Sequence, residues 1–546
     1  MGMPPRADHP PLPAEHRKVI VAASLGAMFE WYDFYLYGAL ASVLAQSFFT
    51  GSGEPVALAA TLAAFAAGFV VRPVGALFFG RLGDIIGRKY TFLVTLLLMG
   101  AATFAIGVLP GHATLGVAAP VALVLLRLLQ GLAIGGEYGG VVTYVAEHAP
   151  RGRRGFYTGW IQATATLGLL LALLVITGVR SVLGDAAFAA WGWRIPFLLS
   201  IVLLGIGVWV RLSLKESPIF WRLKQGGGAS RAPLREAFGR WRNLRWVLVA
   251  LFGLVAGQAV VWYTGQFQAL FFMTLQLKVD ETTASLLLAA ALALGTPLFV
   301  VFGALSDRIG RKPIILTGCL VAALSYLPLF HALTAAANPA LAAAQQRVVV
   351  TLTADPADCA WQFNPIGGPP GAASQASGCD IAKRWLSDRA VRYATVAASG
   401  PAVVGIGTQR IEISDDAAAI RRRIDQALAA AGYPERADPA RINHLGVIAI
   451  LLVLVTFVAM VYGPIAAILV EMFPTRVRCS SVSLPYHLGN GWFGGLLPSA
   501  AFAVAAHTGN MYSGLWVAIV VALATCAIGI VFVRETKDVD LEAAGG

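Results

Sequence analysis

The sequence predicts an all-α membrane protein: twelve transmembrane helices in two six-helix bundles, with a small extracytoplasmic α+β insert between helices nine and ten. Three observations predict it. A ten-residue turn occurs twice, as GRLGDIIGRK from Gly80 to Lys89 and as GALSDRIGRK from Gly303 to Lys312, about 220 residues apart. Long apolar segments flank both copies, so the apolar part of the chain reads as an internal duplication. Of the 546 residues, 57% are hydrophobic and 13% charged, a composition that excludes a soluble domain.

A helix needs roughly 20 apolar residues to cross the hydrocarbon core. Runs of that kind fall at 19–48, 56–79, 90–109, 119–146, 155–179, 192–212, 246–274, 282–304, 313–333, 444–470, 481–506 and 512–533. Basic residues collect in one set of loops: Arg81, Arg88 and Lys89; Arg151, Arg153 and Arg154; Arg308, Arg311 and Lys312; Arg476 and Arg478; and the 213–245 segment. The positive-inside rule places those loops and both termini in the cytoplasm. The net charge of +12 is then a topology signal and no nucleic-acid footprint. The polar, proline-rich start leads into a run too long for a signal-peptide core, so no cleavable signal is expected. The domain reading is a tail at 1–18, a first bundle at 19–212, a central loop at 213–245, a second bundle at 246–333 and 444–534 interrupted by the insert at 334–443, and a tail at 535–546.

In the insert, RVVVTLTAD, AVRYATVAA and AVVGIGTQRIEI read as strands, and DDAAAIRRRIDQALAAAGYP reads as a helix ending near Gly432. Cys359 and Cys379 are its two cysteines, and on an oxidising face they are expected to pair. No histidine spacing supports a metal site, no cofactor is implied, and the partner of the insert is not readable from sequence.

Ionisable residues inside spans are costly and usually face a cavity or a partner. Span one carries Glu30 and Asp33, span two Arg72, and span four Arg127 and Glu137; no comparable buried charge is expected in spans seven to twelve. Glu30 and Asp33 share a helix face, and two close carboxylates are suited to proton loading. Glu30, Asp33, Arg127 and Glu137 are the candidate proton-coupling residues; a static ion-pair network is the other reading. Arg72 and Arg127 are expected to be consumed by these carboxylates or to meet an anionic substrate. Tyr37, Arg72, Gln258, Trp262, Tyr263, Gln266, Tyr462, Tyr486 and Asn490 are the candidate substrate contacts, the last two in SLPYHLGNGWFGG, where Pro485 and the glycines predict a bent helix. His487 reads as a bland polar residue. Asp84, Arg88, Asp307 and Arg311 of the twin turns are a candidate gate latch of charge pairs between helix ends, against a fixed turn that only sets topology. The glycines of GLAIGGEYGG, with Gly155 and Gly159, read as close packing of helices four and five.

EWYDFYLYG, RPVGALFFGRLGDIIGRK, RLLQGLAIGGEYGG and FPTRVRCSSVSLPYHLGNGWFGGLLP resemble the metabolite:proton symporter family of the major facilitator superfamily, and LKESPIF is similar to a motif of sugar porters. The resemblance covers nearly all of the chain but the insert and the polar N-terminus. It implies a bacterial inner-membrane protein, no enzyme, acting as a monomer in the lipid bilayer to import a small organic metabolite together with protons. It also implies Asp33 and Arg127 as coupling residues. An uncoupled facilitator, an efflux antiporter and a transporter-like receptor sensing through the insert stay open as alternatives.

Overall fold

The computed structural model describes residues 14–49, 61, 64, 67–212, 216, 218–225, 230, 232–355, 357, 359, 377–413 and 417–541. The first thirteen residues, the outer part of expected span two, Ser217 of LKESPIF and the last five residues lie outside the described residues. Nine of the described helices are long and apolar enough to cross a membrane. They correspond to expected spans three to ten and twelve. Span one is helical as Ala14–Ala39 and Ala41–Phe48, span two ends in Arg72–Ile85, and span eleven is interrupted.

The interruptions have local causes. In span eleven the helix Arg478–Leu488 passes into a π-turn at Gly489–Gly494 and restarts at Leu497–Thr508, with Pro485 inside the first piece. Span ten breaks at Gly463–Pro464, between His444–Tyr462 and Ile465–Met472. Span seven, expected to be continuous, contains three π-turns, at Leu251–Val255, Thr264–Gln268 and Phe272–Gln276. A π-turn fits one extra residue into a helix and redirects the side chains around it. Gly253 and Gly265 mark the first two.

The halves meet where span five packs on span eight and span two packs on span eleven. Glycine sets the close approach both between the halves and within the first half. A Cβ on Gly155 would strike the Gly303 carbonyl of span eight, and a Cβ on Gly135 would strike the Arg72 carbonyl of span two. The glycines of spans four and five therefore serve different neighbours rather than each other, because span four lies on span two and span five on span eight. In the twin turns Gly87 and Gly310 adopt φ of 128° and 110°, a region that favours residues without a Cβ.

The described residues of 338–443 form a module at the ends of the second half's helices opposite the twin turns. β1 (Val350–Ala354) pairs in parallel with β2 (Tyr393–Ala397) and antiparallel with β3 (Val403–Ile406), which pairs antiparallel with β4 (Gln409–Glu412), giving the order β2-β1-β3-β4. The segment read as one strand at 402–413 is thus a hairpin, because Gly407 turns the chain at φ 58°. Helices Gly378–Asp388 and Ala417–Ala430 pack on the sheet. The first escaped the sequence reading, and its N-terminus is capped by Ser377. Cys359 and Cys379 are bonded to each other. The Tyr393 N–H donates to the Gly509 carbonyl and the Ala437 N–H to the Lys278 carbonyl, so the module is tied to the turns after spans eleven and seven.

Candidate functional site

Glu30 and Asp33 are buried inside the first bundle. The expectation that Arg72 and Arg127 neutralise the helix-one and helix-four carboxylates is overturned. Glu30 Oε1 meets Arg211 Nη1 at 2.5 Å, and Glu137 Oε1 lies 3.9 Å from Arg211 Nη2. Arg211 donates to the Phe92 carbonyl at 2.9 Å and rests on the Phe92 ring at 3.3 Å. Sequence reasoning missed it. Arg211 stands in the last turn of Arg194–Leu212, where an arginine reads as a flanking topology charge. Its place inside the apolar run VLLGIGVWVRL was the available signal.

Asp33 is served differently. It meets Thr103, and its Oδ1 makes no hydrogen bond. Thr103 Oγ1 accepts from Gln130 Nε2 at 2.8 Å, and Gln130 Oε1 accepts from Arg127 Nη1 at 3.0 Å. Asp33 and Arg127 thus form no ion pair, and the Thr103 hydroxyl between Asp33 and Gln130 donates to the Met99 carbonyl at 2.9 Å. Arg127 also donates to the Phe34 carbonyl at 3.2 Å and lies over the rings of Phe34 and Tyr37 at 3.9 and 4.8 Å. Tyr37 thus belongs to this first-half cluster, with its hydroxyl donating to the Thr61 carbonyl.

Arg72 is fully buried, and its three guanidinium nitrogens lack a hydrogen bond of ordinary geometry, with Tyr263 as the polar side chain that faces them. Its guanidinium lies over the rings of Phe34 at 4.2 Å, Phe69 at 4.4 Å and Trp31 at 5.8 Å. Tyr35, Tyr263, Tyr462 and His487 all lie close enough to feel its charge. Across the interface between halves, Tyr35 stacks on Trp262 at 5.9 Å, and Trp262 approaches Tyr462 at 6.3 Å. The Tyr462 and Tyr486 hydroxyls are 2.6 Å apart, and Tyr486 stacks on Tyr138 of span four at 3.3 Å. Gln162 donates to the Tyr138 hydroxyl at 3.0 Å and to the Tyr462 carbonyl at 2.9 Å. Arg72, Trp262, Tyr263, Tyr462 and Tyr486 are thereby gathered into one packed aromatic cluster with contributions from both halves. Gln258 and Asn490 instead bond reciprocally to each other at 3.2 Å, and Gln266 donates to Thr166 of span five at 3.3 Å. His487, read as bland, is buried beside Tyr486 with neither ring nitrogen hydrogen-bonded.

At the twin-turn end each aspartate crosses to the other half. Asp84 accepts from Cys479 N at 3.2 Å, Ser480 N at 2.9 Å and Ser480 Oγ at 2.8 Å, capping the start of span eleven. Asp307 accepts from Gly155 N and Phe156 N, both at 2.8 Å, capping the start of span five. Arg88 lies 3.6 Å from Asp84, and Arg311 lies 2.8 Å from Asp307. Glu147 pairs with Arg478 at 2.9 Å, while Glu471 pairs with Arg311 at 3.1 Å and Arg154 at 3.4 Å. Glu216 accepts from the backbone of Arg88 and Lys89, and Glu535 from that of Arg311 and Lys312. Glu471 and Arg478 are buried charges just beyond the expected spans 444–470 and 481–506, at helix ends where a sequence shows them as loop residues. Among the described residues no cluster of three or more His, Cys, Asp or Glu could hold a metal ion.

The family model for "Sugar (and other) transporter" matches residues 18–237 and 428–545. The "Proline/betaine transporter" of Salmonella typhimurium is 37% identical over 326 residues, which are 58% of this chain and 64% of that protein. The chain therefore matches a little under two thirds of that relative's length. The "Alpha-ketoglutarate permease" of Escherichia coli (strain K12) is 37% identical over 322 residues, 59% of this chain and 72% of the relative. The "Shikimate transporter" of the same strain is 35% identical over 325 residues, 58% of this chain and 73% of the relative. Among solved structures, a proton:xylose symporter of the major facilitator superfamily aligns over 97% of this chain and 98% of its own with a TM-score of 0.63 at 16% identity. That likeness carries the fold alone.

Proposed function

Since the chain belongs to the sugar (and other) transporter family within the major facilitator superfamily, a family of transporters and not of enzymes, we propose that it imports a small carboxylate-bearing metabolite together with protons by alternating access. Arg72 is the observation that carries this reading. Burying one ion costs several kcal/mol after relaxation, and aromatic faces return roughly 0.5–2 kcal/mol. Phe34, Phe69 and Trp31 therefore leave most of the charge uncompensated, and a carboxylate admitted between the halves as they rock apart supplies the missing charge through paired hydrogen bonds. Trp262, Tyr263, Tyr462 and Tyr486 contribute the second half's wall, so one ligand touches both halves.

Proton coupling is assigned to Asp33. Arg211 already answers Glu30 and Glu137, whereas Asp33 has an open oxygen and forms no ion pair with Arg127. The twin turns act as the latch between halves, holding the arrangement described and releasing when the halves rock apart. The topology that goes with this reading has twelve spans, with both termini and the 213–245 loop cytoplasmic and the 334–443 insert on the oxidising face. The working unit is a single chain.

Proteoliposomes with an imposed pH gradient test the proposal against 2-oxoglutarate, shikimate and glycine betaine. The wild type accumulates a carboxylate and moves protons with it. Asp33→Asn abolishes gradient-driven accumulation while exchange of internal for external substrate persists, and Arg72→Gln abolishes both. Accumulation without proton movement would leave an uncoupled facilitator and return Glu30 and Asp33 to structural ion pairing.

A further inference from the structure

We propose that His487 and Ser483 of span eleven are the second half's polar contacts to the transported acid, and that they select an acid with a further oxygen acceptor over a betaine or a plain monocarboxylate. His487 is fully buried, and neither of its ring nitrogens is hydrogen-bonded. The Ser483 hydroxyl, one turn earlier on the same helix face, is buried and equally unpaired. Polar groups before and after them are engaged: Ser480 donates to Asp84 at 2.8 Å, and Asn490 bonds reciprocally with Gln258 at 3.2 Å. Native interiors pair such groups, and each unpaired one calls for an explanation. The edge-to-face contact of the imidazole with Tyr486, centroids 5.0 Å apart, orients the ring but replaces no hydrogen bond.

Spans two and eleven run antiparallel, which fixes the level of these groups. A Cβ on Gly80 would lie 3.1 Å from Ser480 Cα, and a Cβ on Gly491 would lie 2.7 Å from the Phe69 carbonyl. At the helical rise per residue, His487 stands ~10 Å along span eleven from the first of these contacts, and Arg72 ~12 Å along span two. The two side chains are therefore level, and the charge of Arg72 reaches the imidazole. Trp262 Nε1 and the Tyr35 hydroxyl, whose rings stack at 5.9 Å across the halves, are buried and unpaired as well. Unspent hydrogen-bonding groups from both halves thus surround one guanidinium.

These groups share one chemical bias. Arg72 and the Trp262 indole only donate, while the imidazole and the two hydroxyls each carry a donor. The carboxylates nearby are held elsewhere: Asp84 by the first turn of span eleven, and Glu137 by Arg211. The ligand that satisfies such a set is an anion rich in oxygen acceptors. Its carboxylate takes Arg72, and a hydroxyl, an oxo group or a second carboxylate takes His487 and Ser483. A betaine offers one carboxylate and no second acceptor, and its methylated ammonium needs open ring faces. Arg72 already lies over Phe34, Phe69 and Trp31, so that cation would meet like charge. The cluster is packed in the arrangement described, and its polar groups turn to ligand as the halves rock apart. This inference rests on the carboxylate reading of the transported substrate.

Calorimetric titration of the full chain in nanodiscs tests it with paired probes. Shikimate is set against cyclohex-1-ene-1-carboxylate, which lacks its hydroxyls, and 2-oxoglutarate against pentanoate, which lacks the oxo group and the second carboxylate; glycine betaine is titrated alongside. Wild type binds one oxygen-rich acid about ten-fold or more tighter than its stripped partner, the difference expected for one hydrogen bond. His487→Phe weakens the oxygen-rich acid by about ten-fold and leaves the stripped acid nearly unchanged, so the preference disappears. His487→Gln, whose amide keeps a donor and an acceptor, restores part of the preference, and Ser483→Ala narrows it. A merely structural role would weaken both members of a pair alike, and that result overturns the inference, as does a wild type without preference. If His487→Phe fails to fold, the ratio in Ser483→Ala decides. Acid binding that Arg72→Gln abolishes, with a ratio untouched by His487→Phe and Ser483→Ala, sinks this inference and leaves the transport reading standing. Binding of glycine betaine and of no acid sinks both.

Discussion

The twin-turn end and the middle of the bundle began as copies within each half and now differ. At the turns the duplication persists residue by residue. Asp84 and Asp307 each cap a helix of the opposite half, Glu147 and Glu471 each meet the arginine that opens a helix of the opposite half, and Glu216 and Glu535 each cap the helix after their own turn. In the middle, the first half holds Glu30, Asp33, Arg72, Arg127 and Arg211, and the second half answers with Trp262, Tyr263, Tyr462 and Tyr486. Closing the two halves against each other is a symmetric task and preserves symmetric parts. Binding one asymmetric ligand and one proton is not, so the middle has diverged.

The largest effect expected from this contrast is in stability. Removing one partner of a buried ion pair costs about 3–5 kcal/mol, because the other charge is left uncompensated. Glu147→Gln strands Arg478, and Glu471→Gln strands Arg154, while Arg311 keeps Asp307. If the two ends are true equivalents, both variants lower the denaturation midpoint of the purified protein by a similar margin. A large loss from one and none from the other would break the symmetry argument.

A smaller effect is expected on the balance between the two faces. A hydrogen bond to a charged group contributes about 1.5–3 kcal/mol, and Asp84 and Asp307 each make at least two across the halves. Asp84→Asn and Asp307→Asn each weaken the closed turn end, measured as faster alkylation of a cysteine introduced on that side. Equal acceleration by the two supports a shared latch; a response from one alone makes the other a fixed turn.

The contrast also explains what the sequence could disclose. Repeated tasks leave repeated words, so the twin turns, their aspartates and most span positions were legible. The fold class followed from hydropathy, and Trp262, Tyr263, Tyr462 and Tyr486, which pack into the aromatic cluster, stood out as polar or aromatic groups in mid-span. The partners were not legible. Arg211 has the sequence position of a topology charge, and only packing brings it from the end of span six to Glu30. Cross-half capping of span eleven by Asp84 joins positions about 395 residues apart, which no local pattern encodes. Gln258 and Asn490 have the chemistry of substrate contacts but spend it on each other. The π-turns of span seven arise from tertiary fit, with Gly253 and Gly265 as faint signs.

The smallest effect belongs to the insert end, where the halves meet through an exposed ion pair rather than buried ones. The ion pair there, Arg180 with Glu281, is half exposed, and pairs of that kind contribute about 0–1 kcal/mol. Asp280 beside it caps its own helix rather than one of the other half. Burial pushes the Asp280 carboxyl up, but hydrogen bonds from Thr283 and Thr282 and the charge of Arg180 outweigh that and hold it below its ordinary 3.8. A depressed value in the fold means the carboxylate's stabilisation is complete above the ordinary value and is lost as pH falls through it. Asp280→Ala should therefore cost about 1 kcal/mol at neutral pH, the usual loss for a helix cap. Asp280→Asn keeps a cap and loses only the acid-dependent part, so its denaturation midpoint changes less than that of wild type between pH 5 and pH 3. Because this cap never crosses between halves, neither variant should alter alkylation at the twin-turn end. A change there as large as that from Asp84→Asn would mean that the two ends are coupled more tightly than their contacts allow.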